Sequence, residues 1–180
     1  LGFGLHHRAE KITVIPGTKR IWLHCLSVGE VTSALPLVRG LRLGMPAVRI
    51  IVTVTTSTGI KVAKQQLAPF ADLVLAAPFD LLPVIRRYIT ILRPDLFILV
   101  ETDFWPNWLR TLRRHRIPAM LVNGRVSHAS FARYQRFRFF FRPLFSSFSQ
   151  LAMQTESDAL QMRALGVEVS TVGDVPGQPG

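Results

Sequence analysis

The chain has 180 residues, of which 48% are hydrophobic, with a mean hydropathy of +0.27. That is enough for one good core; it excludes a disordered chain, and no run approaches the ~20 apolar residues of a membrane span. The net charge of +11 comes from 22 basic against 11 acidic residues, and 18 of the basic ones are arginines, which suits forked recognition of phosphate or carboxylate. The single cysteine, Cys25, excludes an intramolecular disulfide and implies a reducing compartment.

Residues 1–19 carry little periodicity and read as a loosely held leader. The chain opens at Leu1 without Met and with no signal peptide, so an N-terminal anchor outside it is one expectation. Ile21, Trp22 and Leu23 begin a buried strand that stops at Ser27. Glu30 lies three residues on, the Ser-x-x-Glu spacing of a capping box, and Val31, Ala34, Leu35, Val38 and Leu41 then recur at helical spacing. Gly29 and Glu30 therefore fall in a strand-to-helix turn.

Val48–Thr55 is nearly all β-branched, as in a strand covered on both faces. Thr55–Gly59 turns into a helix over Ile60–Leu67 that ends before Pro69. Asp72–Ala77 is a short strand and Leu81–Leu92 an amphipathic helix with Arg86 and Arg87 outward. Asp95–Val100 forms a strand delivering Glu101 at its carboxyl end. Phe104–Arg116 is a helix with an early proline, Pro118–Val122 a strand, and Ser127–Phe148 a helical region broken at Pro143. Leu151–Gln154, Glu156–Leu165 and Glu168–Val172 complete the pattern as strand, helix and strand. This alternation predicts an α/β fold with a Rossmann-like, doubly wound parallel sheet over residues 20–173, and a tail at 174–180.

In such a sheet every strand's carboxyl end points one way, so Glu30 and Glu101 can line one crevice although 71 positions separate them. Glu30 fits two roles, a capping carboxylate or a general base. Glu101 fits either a structural carboxylate beside Trp105 or a part of the site. The turn Thr55–Gly59, with Thr56, Thr58 and Gly59, is a capped helix start or an anion-binding one. Asn123–Ser127, with Arg125 and Ser127, is a second loop after a strand. No histidine pairs with a carboxylate or cysteine at ligand spacing, so no metal site is expected. His24 reads as a packed core residue.

Between Phe104 and Thr155 stand nine arginines and no Asp or Glu. A one-signed segment of this kind implies an anionic partner or a solvated basic face. Within it, Phe131–Phe148 holds seven phenylalanines and four arginines. That mixture suits an anionic membrane surface or an ordinary core helix with snorkelling arginines. Nucleic acid ranks below both, since no recognition motif accompanies the charge.

Four strings arrive in one order: HCLSVGEV from His24, VTVTTSTG at 52–59, ETDFWPN at 101–107 and VNGRVS at 122–127. Together they resemble the N-terminal half of the bacterial Kdo transferases, whose members read HAVSVGE, TTxTxTG, ETELWPN and VNARLS there. The resemblance runs from about Ile21 to about Gly166 and implies a GT-B type glycosyltransferase. Such enzymes transfer 3-deoxy-D-manno-octulosonic acid (Kdo) from CMP-Kdo to the lipid A precursor, lipid IVA, in lipopolysaccharide biosynthesis. It implies an inverting, metal-independent reaction with no cofactor, at the cytoplasmic face of the inner membrane. Glu30 becomes the base and Glu101 its catalytic companion. Ser27, Gly29, Thr56, Thr58, Gly59, Asn107, Arg125 and Ser127 become substrate-binding residues. Asp103 stands where the family has Glu, and Gly124 where it has Ala. The final TVGDVPGQPG departs from the family pattern, so the donor (CMP-Kdo) domain is expected to be absent from this chain. Without it, transfer by this chain alone is expected to be negligible. A different class of reading is a non-catalytic module binding anionic lipid.

Overall fold

The computed structural model describes residues 17–101 and 105–171. The leader up to residue 16, Asp103 and the 174–180 tail lie outside the described residues. Seven parallel strands make one sheet in the order β3-β2-β1-β4-β5-β6-β7: β1 Arg20–Cys25, β2 Arg49–Val54, β3 Leu73–Ala76, β4 Leu96–Val100, β5 Ala119–Gly124, β6 Gln150–Met153 and β7 Ser170–Thr171. Seven described helices connect them: α1 Val28–Gly44, α2 Ser57–Gln66, α3 Leu82–Leu92, α4 Pro106–Arg114, α5 His128–Arg136, α6 Arg138–Phe145 and α7 Glu156–Ala164. The doubly wound α/β fold expected from the alternation is the one observed.

The side-chain period of two makes β1 the wall between two cores. Ile21, Leu23 and Cys25 face α1 and α2, together with Val31, Ala34, Val38 and Ala63. Trp22 faces the other way, where it packs on Tyr88, Phe97 and Trp108 with ring centroids 6.2, 5.1 and 4.9 Å away. Beneath it Thr53 supplies a buried polar anchor. Its hydroxyl accepts the Trp22 indole N–H at 2.9 Å and lies 3.1 Å from His24 Nδ1. Strands buried on both faces explain the near-continuous apolar runs.

Two expectations need correction. The helical region 127–148 breaks at Phe137 (φ −113°, ψ 38°), not at Pro143, which lies inside α6. The break lets Tyr134 pack on Phe141 and Phe145, at 4.6 and 5.2 Å, while Pro143 sits exposed inside a short helix. The capping box also closes differently. Ser27 caps α1 by position but makes no side-chain cap bond, and Glu30 accepts the backbone N–H of Leu26, one residue earlier. The extended backbone at Ser27 (φ −135°, ψ −178°) turns the Leu26 amide toward the helix start.

Candidate active site

The strand order reverses direction between β1 and β4, so a crevice opens at their carboxyl ends. Glu30 stands in the first turn of α1 directly after β1, and Glu101 directly after β4. The two expected carboxylates thus flank the switch point on neighbouring strands.

Glu30 is 6% exposed and held to the β1–α1 turn by the Leu26 amide, at a helix N-terminus whose dipole favours a negative charge. Glu101 is half-buried. Its backbone N–H donates to Val122 O at 3.0 Å, and its φ is +61°, a left-handed conformation uncommon for a residue with a side chain. Asn123, at the end of the adjacent β5, is left-handed too (φ +55°). Its Nδ2 lies 3.4 Å from Glu101 Oε1. From the other side, Ser33 Oγ lies 3.1 Å from the Glu30 carbonyl and 3.4 Å from Glu101 Oε1. Ser33 therefore links the helix carrying one carboxylate to the other carboxylate. Cys25, at the end of β1, registers both. Burial pushes its thiol well above the ordinary range, and the charges of Glu30 and Glu101 push it further.

The turn after β2 closes on the turn after β1. Thr55 and Thr56 donate their N–H groups to Cys25 O and Leu26 O at 3.2 and 3.1 Å. Thr56 caps α2, its Oγ1 accepting the Gly59 N–H at 3.1 Å. Gly59 is needed for this approach, because a Cβ there would lie 2.7 Å from Val54 Cγ1 and 3.3 Å from the Ser27 carbonyl carbon. Ser27 lies at this joint, Gly29 is exposed in the first turn of α1, and Thr58 is exposed on the first turn of α2.

The remaining expected residues lie further along the edge. Arg125 is exposed in the loop after β5, and Ser127 caps α5, accepting the Ser130 N–H at 3.2 Å. Asp158 ties that loop down by accepting the Val126 N–H at 2.8 Å. Asn107, in the first turn of α4, has its amide engaged by Asp80, at 3.0 Å from the carbonyl and 3.3 Å from Oδ2. Burial raises the Asp80 carboxyl, opposed by donors from Asn107 and Trp108.

His24 is fully buried beneath this edge, 4.7 Å from Trp108 and 6.5 Å from Trp105 between ring centroids. Burial lowers its pKa to about 4, opposed by Thr53, and its Nε2 has no hydrogen-bond partner among the described residues. It is a neutral core residue, as expected. Among the described residues no three His, Cys, Asp or Glu side chains gather as a metal site.

Sequence reasoning missed Ser33 and Asn123. Ser33 sits three residues after Glu30, on the same helix face. Asn123 is a residue type that tolerates left-handed backbone at a strand end.

The family model described as 3-deoxy-D-manno-octulosonic-acid transferase (kdotransferase) matches residues 3–175. The 3-deoxy-D-manno-octulosonic acid transferase of Haemophilus influenzae is 35% identical over 153 residues, covering 84% of this chain and 35% of the relative. That of Rickettsia typhi is 31% identical over 147 residues, covering 82% and 31%. A bifunctional glycosyltransferase/methyltransferase of Fusobacterium nucleatum is 30% identical over 159 residues, covering 86% and 25%. The chain thus spans between a quarter and about a third of the length of these curated relatives. Among solved structures, S. aureus MnaA with UDP superposes with a TM-score of 0.63 at 16% identity, covering 87% of this chain and 45% of that one. Acinetobacter baumannii MurG gives 0.55 at 12%, covering 78% and 42%. These two carry the fold alone, that of one half of a GT-B type enzyme. With the family model spanning nearly the whole sequence, this chain belongs to the Kdo transferase family of glycosyltransferases.

Proposed function

We propose that this chain is the acceptor-binding half of a transferase that moves Kdo from CMP-Kdo to a lipid A precursor in lipopolysaccharide biosynthesis. The observation that carries the reading is the convergence of Glu30 and Glu101 at the β1/β4 switch point. In the proposed step an acceptor hydroxyl oxygen attacks the anomeric carbon of Kdo from the face opposite CMP. The bond to the CMP phosphate oxygen breaks, CMP leaves with the electron pair, and the hydroxyl proton passes to the Glu30 carboxylate. The configuration inverts. The step draws on no metal or cofactor, since the departing group carries one phosphate.

Glu101, braced by Ser33 and Asn123, shapes the acceptor side of the crevice. The α2 N-terminus with Thr56, Thr58 and Gly59, together with Arg125, receives acceptor phosphate or the sugar carboxylate. A second domain facing this edge supplies the donor contacts. No described helix is long and apolar enough to cross a membrane; the arginine-rich 104–155 segment supports a reading in which the protein lies on an anionic inner-membrane surface, at its cytoplasmic face.

The test is Glu30→Gln in this chain joined to a donor domain. Gln keeps an oxygen for the Leu26 amide, so the turn survives while the base is lost. Transfer is expected to fall by about 10²–10⁴-fold with acceptor binding unchanged. Retained transfer rejects the assignment.

A further inference from the structure

Between α4 and α6 runs a groove of about 550 Å³ with Asn107 among its lining residues, within the range of small-ligand sites. Its walls differ in chemistry. Arg110, Arg113 and Arg114 line it from α4, and Phe140, Pro143 and Leu144 from α6. All three arginines are exposed, and none takes part in an ion pair among the described residues. The helix dipole accounts for cations in the last turn of α4. It accounts neither for the apolar wall opposite nor for Phe139 and Phe140 on that helix, which are 80% and 49% exposed. Phe137, 44% exposed with the Arg136 guanidinium 5.7 Å from its ring centroid, extends the same mixture.

We infer that this groove holds one anionic phospholipid of the bilayer, its phosphate between Arg110, Arg113 and Arg114 and an acyl chain along Phe140, Pro143 and Leu144. Guanidinium forks match a phosphate. Exposed phenylalanines beside them are stable at the headgroup–acyl boundary and costly in water. The nine arginines of residues 104–155 face no carboxylate in that segment that would repel the headgroup. An acidic peptide would satisfy the arginines and leave the phenylalanines wet. The inference rests on the reading above only in placing the protein at a membrane; Glu30 and Glu101 have no part in it.

The test uses this chain with phosphatidylcholine vesicles, with or without phosphatidylglycerol, and no sugar acceptor. Preferential binding to the anionic vesicles is expected, with one phosphatidylglycerol per chain retained in native mass spectrometry after detergent extraction. R110Q/R113Q/R114Q is expected to weaken vesicle binding about a hundredfold, at about fivefold per arginine. Leu144→Trp fills the groove and should remove the retained lipid while keeping charge-driven vesicle binding. Phe140→Ser, at an exposed position where folding is not at stake, should also remove it. Glu30→Gln should change neither readout, so loss of the transferase reading leaves this one standing. Equal binding to both vesicle types, a triple variant within threefold of the parent, or a retained lipid in Phe140→Ser each overturns the inference.

Discussion

Acidification should destabilise this protein through His24. The ring is fully buried, with Nδ1 at Thr53 and Nε2 unpartnered among the described residues. Its pKa falls from 6.5 in the open chain to about 4 in the fold, because burial penalises the charged ring. Between those values the unfolded chain binds a proton that the native state refuses. The His24 contribution is therefore complete above pH 6.5 and lost progressively as pH falls toward 4. At about 1.4 kcal/mol per pH unit the full loss comes to about 3 kcal/mol, and about 2 kcal/mol between pH 6.5 and 5. Urea unfolding followed by tryptophan fluorescence reads this directly, since Trp108 touches the ring. With a slope of about 2 kcal/mol per molar, the midpoint should drop by about 1 M over that interval. His24→Gln cannot take up the proton, so its midpoint should fall much less over the same interval, whatever its stability at neutral pH. Parallel falls in parent and variant would refute the reasoning and mean the ring can be protonated without exposure.

Three further substitutions probe the site's support. Gly59→Ala places a methyl 2.7 Å from Val54 Cγ1 and 2.8 Å from Thr56 Oγ1; overpacking of about 1–3 kcal/mol should lower the melting temperature by about 2–10 °C in calorimetry, and an unchanged value would deny the close approach. Thr53→Val removes the acceptor of the Trp22 indole N–H and should cost about 1–3 kcal/mol in urea unfolding; a change below about 0.5 kcal/mol would show that the bond is dispensable. Glu101→Gly relieves a left-handed backbone and should raise stability by about 1 kcal/mol while transfer in a chain with its donor domain falls. Lower stability would mean that the contacts from Ser33 and Asn123 outweigh the strain.

The fold was legible because its signals are local and repeated. The apolar start of β1, the β-branched run of β2, the proline at the start of α4 and the alternation of strand with helix each follow from neighbouring residues. Strand order is not local, so the adjacency of Glu30 and Glu101 could be read only as a shared edge. The break at Phe137 depends on Tyr134 meeting Phe141 and Phe145, and proline was the stronger sequence signal. Ser33 escaped notice for a related reason: its partner Glu101 is 68 residues away. The turn after β1 was placed correctly, yet Glu30 takes the Leu26 amide, a choice set by the backbone angles at Ser27.

The position of β1 between β2 and β4 also sets an order of assembly. Strands β1, β2 and β3 with α1 and α2 form a wing that can close once residue 76 has emerged from the ribosome. Trp22, on the opposite face, must wait for Tyr88, Phe97 and Trp108. At about 5–20 residues per second of synthesis, that face of β1 stays open to the cell for seconds after its own wing is in place. The crevice lies on the seam between early and late wings, so Glu30 can be held in its turn before Glu101 has emerged from the ribosome. Changes that weaken the β1–β4 pairing should therefore separate the two carboxylates while leaving the first wing folded.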